Sequence, residues 1–344
     1  MMKAIVKTKE GVGNVEYLNV PEPSVRDNEV KIKVMAVGIC GTDVKIKHGD
    51  TWSNPPVILG HELSGVVAEI GKNVKSVKVG DRVVTETGNV ICGHCYYCRT
   101  GNTLMCKDRL SIGYGVDGGM AEYCVVREDI VHLLPDSIPF DAGSLCEPAA
   151  VSVHAVYDAT PVIPTDVALV IGCGAIGLLV AQLVKGFGAT VIITGLTNDA
   201  FRLAKAKELG IDYVVDTQTE DLDALIEKVT NGRGVDLVYE CSGSGSGINT
   251  GMRALKKMGH MVQIGLTKPK VEIEYAMFTA KQIAIHGTFG HKWQSWDTAL
   301  KLMESGKLKT KELISHEFPI DRWEEAFAVA ESQQGLKVVI LPND

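Results

Sequence analysis

Val167-Ala168-Leu169-Val170-Ile171-Gly172-Cys173-Gly174-Ala175-Ile176-Gly177 is the stretch whose reading decides the fold. Five apolar residues in a row read as a strand buried on both faces. A Gly-x-Gly-x-x-Gly pattern follows at once and opens an apolar helix, Ala175 to Phe187, stopped by Gly188. Gly172 permits a tight turn, Gly174 lets backbone approach a pyrophosphate, and Gly177 lets helix and strand pack closely. The free N–H groups and positive dipole end of the helix then face the phosphates. The pattern alone is weak and also fits a βα turn without a ligand. Strand before and helix after make it specific.

Working downstream, strand patterns recur at Thr190 to Thr194, Tyr213 to Val215, Val235 to Glu240, His260 to Ile264 and Ile283 to Gly287. Helical patterns separate most of them, including Asp199 to Leu209, with Asn198 as cap and Gly210 beyond its end. Such alternation predicts an α/β fold with a doubly wound, six-stranded parallel sheet. In enzymes of this kind that use NAD, the second strand ends in an acid that binds the ribose 2′-hydroxyl. Here it runs into Gly195, with Thr194, Thr197 and Asn198 as neutral donors and Arg202 one turn into the next helix. Asp199 could also swing back to the ribose and restore NAD use. This reading favours NADP or dual use over strict NAD. The expected dinucleotide contacts are Gly172, Gly174, Ala175, Ile176, Gly177, Gly195, Thr197 and Arg202. Gly243-Ser244-Gly245-Ser246-Gly247 reads as a flexible turn beside the sheet.

Upstream the grammar is β-rich. Short apolar runs at Val30 to Val37, Gly65 to Ile70 and Asp81 to Val84 are separated by Gly, Pro and Asn signals. After Gly290 come two helical patterns, Asp297 to Ser305 and Trp323 to Ser332, and a last strand, Lys337 to Leu341. So short a tail cannot bury a core of its own and is expected to return to the N-terminal part. The expected domains are 1–152 with 291–344, and 153–290.

Composition agrees. A chain of 344 residues, 45% hydrophobic and 22% charged, is long enough for two domains with cores built without disulfides. Net charge −7 with no basic run argues against nucleic acid. No stretch approaches the roughly 18–20 apolar residues that cross a bilayer. The opening Met1-Met2-Lys3-Ala4-Ile5-Val6-Lys7 has no apolar signal core, so a cytoplasmic protein is expected.

Nine cysteines in a reducing compartment read as metal ligands or buried thiols. Cys92-x2-Cys95-x2-Cys98-x7-Cys106 offers four thiolates to one tetrahedral ion. A zinc so held is closed and structural, because no position is left for a substrate. Buried thiols, a redox pair or an iron–sulfur cluster use the same donors. Elsewhere Cys40 lies in Gly38-Ile39-Cys40-Gly41-Thr42-Asp43, His61 and Glu62 in Gly60-His61-Glu62-Leu63-Ser64-Gly65 followed by Gly71, and Glu147 in Cys146-Glu147-Pro148. Singly, each reads as core packing or a capped turn.

Taken together, in this order and at these separations, the motifs give a resemblance. The chain resembles the zinc-containing medium-chain dehydrogenases over essentially its full length, and within them the polyol (sorbitol) and threonine dehydrogenase branch. The resemblance implies a GroES-like catalytic domain beside the Rossmann domain, and argues for zinc rather than iron–sulfur at the four cysteines. It implies two zincs per chain. The catalytic one would be held by Cys40 and His61, with Glu62 and Glu147 as interchangeable or water-bridged third and fourth ligands. Thr42 would accept the alcohol's hydrogen bond and pass its proton outward, and Asp43 would orient His61. The histidine that relatives carry three residues after this Thr or Ser is Lys45 here, with His48 nearby. Trp52, Phe289 and Trp293 are candidate pocket residues.

The implied reaction is reversible oxidation of a secondary alcohol of a polyol or sugar derivative to the ketone, by hydride transfer to NAD(P). The alternative within the branch is a vicinal amino alcohol such as threonine. A zinc ribbon without catalysis is a third reading, opposed by the complete nucleotide-binding half. The partners expected are a small alcohol or ketone and further copies of the chain, as tetramer or dimer.

Overall fold

A computed structural model describes residues 1–332 and 334–343. The chain divides into two compact units: Met1–Ala150, Lys292–Gly306 and Thr310–Asp344 form one, Val151–His291 and Lys307–Lys309 the other.

In the second unit the six strands run in the order Tyr213–Asp216, Thr190–Gly195, Val167–Ile171, Val235–Glu240, Leu255–Gln263, Ala284–Gly287. Every neighbouring pair is parallel. The order reverses between the first strand in sequence and the fourth, which places the turn after Ile171 at the switch point where such sheets bind ligands. Leu169, Ile171, Ile192, Val238, Met252 and Met261 are core residues of this unit. Gly177 is required where it stands: a Cβ there would lie 1.9 Å from the carbonyl oxygen of Gly172.

Three local expectations are corrected. The run Gly243 to Gly247 is not a flexible turn throughout, because Ser244 accepts a hydrogen bond from Gly247 N–H and caps a helix, Gly245–Ala254. That capping overrides the poor helix propensity of glycine. The fifth strand starts at Leu255 rather than His260, with a bulge against its neighbour, Val235–Glu240. The polar run Lys256-Lys257 hid that extension from a search for apolar residues. The helix Ala200–Glu208 is capped from Asp199, not Asn198.

The first unit is built on a seven-stranded sheet and a three-stranded one. The long central strand Glu29–Gly38 pairs antiparallel with Glu62–Ile70, with Tyr123–Arg127 and with the C-terminal strand Lys337–Leu341. The tail therefore closes onto the N-terminal sheet, where Val338 and Ile340 join Val30, Ile32, Val34 and Leu63 in one core. The register sets Val339 opposite Gly38 and Gly38 opposite Glu62. Residues from three distant stretches of sequence thus meet at one end of the sheet.

Candidate metal centres and dinucleotide loop

Cys40 caps the short helix Gly41–Lys47, and Asp43 in its first turn is fully buried. The Asp43 carboxylate accepts hydrogen bonds from Cys40 N–H at 2.8 Å and Gly60 N–H at 3.3 Å. It thereby ties the Cys40 turn to the loop that carries His61. Glu62 begins the next strand. The result is that one ligand atom each of Cys40, His61 and Glu62 lies within 4.8 Å of the others. The edge of the Tyr114 ring meets the His61 imidazole at 6.0 Å between centroids.

The other expected residues fall differently. The nearest Asp43 oxygen lies 3.8 Å from His61 Nδ1, too long for a hydrogen bond, so its contacts are to backbone instead. Glu147, in the first turn of the helix Cys146–Tyr157, stands outside that tight group but close enough to feel His61, Glu62 and Lys337 electrostatically. Thr42 is half-buried on the capped helix, Lys45 is exposed, and His48 faces Glu331 at 3.4 Å. Trp52 and Trp293 are more than half exposed, and Trp293 leans on His132.

A residue that sequence reading missed completes the cluster. Lys337 is buried, with its Nζ 2.6 Å from Glu62 Oε1. The signal available was a lysine at the head of an otherwise apolar strand.

The residues fit a cation. Among the described residues, His61 Nδ1 is buried without a hydrogen-bond partner, whereas both Glu62 oxygens lie against the Lys337 ammonium. The protein also holds protons where a metal would remove the need for them. Burial pushes the Glu147 carboxyl up to about 7, with the Glu62 charge adding to it and His61 opposing. Burial works against the charge on His61, yet Asp43 and Cys40 raise its pKa well above the usual value. An excess of buried negative charge that recruits protons is what a divalent ion would neutralise.

The second cluster is more compact. Cys92, Cys95, Cys98 and Cys106 come within 4.8 Å of one another and form no disulfide. Cys92 and Cys98 sulfurs are 3.9 Å apart, and Cys106 and Cys92 sulfurs 3.6 Å. Zinc–sulfur bonds of 2.3 Å in a tetrahedron separate the sulfurs by about 3.8 Å, so the site is already shaped for the ion. Backbone N–H groups of Cys95, Cys98 and Cys92 point at the sulfurs of Cys92, Cys95 and Cys106. Backbone N–H groups of His94 and Cys95 pull the Cys92 thiol down to about 6, favouring the thiolate that binds metal.

In the second unit, Gly172 takes a φ of 96° and the helix Ala175–Gly186 begins from Gly174. A Cβ at Gly174 would meet nothing within 4 Å, which leaves open space beside the free N–H groups of the helix start. At the end of Thr190–Gly195, a Cβ on Gly195 would lie 2.6 Å from the sulfur of Cys173 and 3.2 Å from Asp199 Cβ. A side chain at 195 would force Cys173 or its neighbours to shift. The Asp199 carboxylate accepts from Leu196 N–H at 3.1 Å and from Arg202 Nη1 at 3.0 Å. Thr197 donates its hydroxyl to Asp216 at 2.8 Å.

Comparison with known proteins agrees with this geometry. Residues 26–136 match the alcohol dehydrogenase GroES-like domain, and residues 175–305 the zinc-binding dehydrogenase domain. The chain is 40% identical to a sorbitol dehydrogenase of Halalkalibacterium halodurans over 344 residues, 100% of each chain. It is 38% identical to a D-arabitol-phosphate dehydrogenase of Enterococcus avium, over 99% of this chain and 98% of that one. A crystal structure from Sinorhizobium meliloti 1021, assigned as a zinc-binding dehydrogenase and bound to NADP, superimposes with a TM-score of 0.90 at 32% identity, covering 99% of both chains. Among the described residues no helix is long and apolar enough to cross a membrane. The chain belongs to the zinc-binding alcohol dehydrogenase family and is an NAD(P)-linked, zinc-dependent oxidoreductase.

Proposed function

We propose that this enzyme oxidises a secondary alcohol of a polyol or sugar derivative to the ketone, and reduces the ketone in reverse. The observation that carries the reading is the Cys40–His61–Glu62 group, whose ligand atoms lie within 4.8 Å of one another with His61 Nδ1 buried and without a hydrogen bond. The sorbitol and arabitol-phosphate dehydrogenases among its relatives support the substrate class. Two zincs per chain are proposed, one at Cys40, His61 and a carboxylate, the other at the four cysteines. When bound, the first supplies the Lewis acidity that makes an alcohol easier to deprotonate, and the nicotinamide accepts the hydride. Thr42, two residues beyond Cys40, would accept the alcohol's hydrogen bond and hand its proton outward. With Lys45 exposed and His48 paired to Glu331, the outer leg of that path runs through solvent. The active form is proposed as a cytoplasmic tetramer or dimer, to be checked by sedimentation.

A panel of polyols, polyol phosphates, amino alcohols and simple alcohols, assayed with each nicotinamide cofactor alongside metal analysis, tests the assignment. We expect two zincs per chain and a polyol or its derivative as best substrate by kcat/KM. Isopropanol outperforming every polyol and amino alcohol would remove the substrate class.

For the cofactor we expect NADP to be used at least as well as NAD. No acid stands at the end of the second strand to repel a 2′-phosphate, and Asp199 is engaged by Leu196 N–H and Arg202. Arg202→Ala should lower kcat/KM for NADP roughly tenfold, the scale of one charge-assisted hydrogen bond, and leave NAD nearly unchanged. A wild type preferring NAD a hundredfold would mean that another group reads the ribose.

Zinc binding should also report the Glu147 proton. With its carboxyl pushed up to about 7, the metal-free enzyme keeps that proton across the range where an ordinary carboxyl has lost it. A folded-state pKa raised above the unfolded one means that the metal-free fold loses stability as pH climbs between them. Zinc must displace this proton below about pH 7 and finds it gone above. A plot of zinc affinity against pH is thus steeper by one proton below that point, and Glu147→Gln abolishes the break. A wild-type plot without a break would refute the placement of this proton.

A further inference from the structure

Lys337 is outside every motif described above, yet it makes the shortest polar contacts in the cluster. The register of the three strands brings it there. Lys337 and Val339 share a face of the last strand, Val339 lies opposite Gly38, and Gly38 lies opposite Glu62. The missing side chain at Gly38 creates the space: a Cβ there would stand 2.2 Å from Glu62 Oε2 and 3.1 Å from Lys337 Cε. Into that space the ammonium and carboxylate close as a pair, with 5% and 1% of their residues exposed. Lys337 Nζ donates to Glu62 Oε1 at 2.6 Å and to the Ile39 carbonyl at 3.2 Å, and it also lies against Glu62 Oε2. Ile39 is the residue before Cys40. Both Glu62 oxygens therefore lie against a fixed cation, while one of them also falls within 4.8 Å of the ligand atoms of Cys40 and His61.

We propose that Lys337 is a positioning residue that holds Glu62 beside the metal instead of permanently on it. The inference rests on the proposed ligation by Cys40 and His61. A buried carboxylate without a counter-charge is costly, and something must neutralise Glu62 at all times. Were the metal its only cation, the carboxylate would stay bound and fill a position that an alcohol needs, since catalytic zinc sites work by keeping one position open. With Lys337 present, Glu62 is neutralised whether or not it touches the metal, and can leave or approach at little cost.

The test uses the full-length enzyme with its four-cysteine zinc retained. Zinc affinity at the second site is measured by chelator competition, and its ligand field by the visible spectrum of a cobalt-exchanged sample. In Lys337→Met, Glu62 has only the metal to pair with. We expect roughly tenfold tighter zinc, within the range seen when groups behind metal ligands are altered. A changed cobalt spectrum and a kcat that falls more than KM changes should accompany it. Lys337→Arg should restore all three. A merely structural lysine predicts weaker or unchanged metal binding in Lys337→Met, and that result overturns the proposal. Should Lys337→Met fail to fold, Glu62→Gln decides: a change in zinc affinity below roughly tenfold supports a carboxylate held in reserve, and a loss beyond roughly a hundredfold marks a standing ligand and overturns it. Cys40→Ser serves as the control, because zinc retained there would defeat the ligand assignment itself, separately from the role of Lys337.

Discussion

Cys40→Ser and His61→Ala should each remove turnover by roughly a thousandfold or more while the dinucleotide still binds. The metal at this site is asked to supply several kcal/mol of charge stabilisation, and each 1.4 kcal/mol is about a factor of ten in rate. Neither residue has a substitute nearby. Among the described residues the only other donor grouped with both within 4.8 Å is Glu62, which is already paired with Lys337. The Gly172–Gly177 loop belongs to the other unit and rests on its own core, so its fold does not depend on the metal cluster. Steady-state kinetics, zinc content and fluorescence titration with NADPH check the three parts of the expectation. Wild-type turnover in a variant shown to lack zinc at this site would end the assignment. Lost dinucleotide binding would point to general unfolding instead.

Cys98→Ser should act on stability first. The Cys92 and Cys98 sulfurs sit 3.9 Å apart and those of Cys106 and Cys92 3.6 Å, on a segment with little apolar support: the turn Tyr96–Arg99 buries none of its residues, and Tyr96 is 75% exposed. Without a metal, the four thiols are left with weak N–H···S and sulfur–sulfur contacts to hold them together. Ion binding here is therefore folding free energy. Losing several kcal/mol from a unit of this size lowers the melting temperature by roughly 10 °C. Activity should follow stability, with kcat/KM near wild type at low temperature and steep loss on warming. A soluble Cys98→Ser enzyme with two zincs per chain and native melting would show that the loop does not depend on the ion.

The parts of this protein legible in sequence are those whose physics is local. Gly172, Gly174 and Gly177 are spaced by the geometry of one turn and one helix start, so the six-residue pattern announces its structure. Cys92, Cys95, Cys98 and Cys106 lie within fifteen residues, and their spacing nearly dictates that they meet. The alternation of strands and helices after Pro164 likewise names a parallel sheet, because only a crossover helix joins parallel neighbours at such spacing. Local reading erred where a side chain overruled composition. Ser244 made a helix of a glycine-rich run, and the bulged fifth strand carried two lysines that an apolar search passed over.

Tertiary structure decided the rest. Cys40, His61 and Glu62 are drawn together by strand register and by Asp43 bridging two backbone segments. Gly195 packs against the sulfur of Cys173, which a side chain there would have to displace. The partner of Glu62 is the clearest case. Lys337 lies 275 residues further along the chain, and nothing in either neighbourhood names the other. Sequence determined which residues bear the chemistry, because donor type and short spacing are properties of the chain itself. Which of them share a charge was left to the fold, because a buried ion pair is set by the antiparallel register of strands distant in sequence.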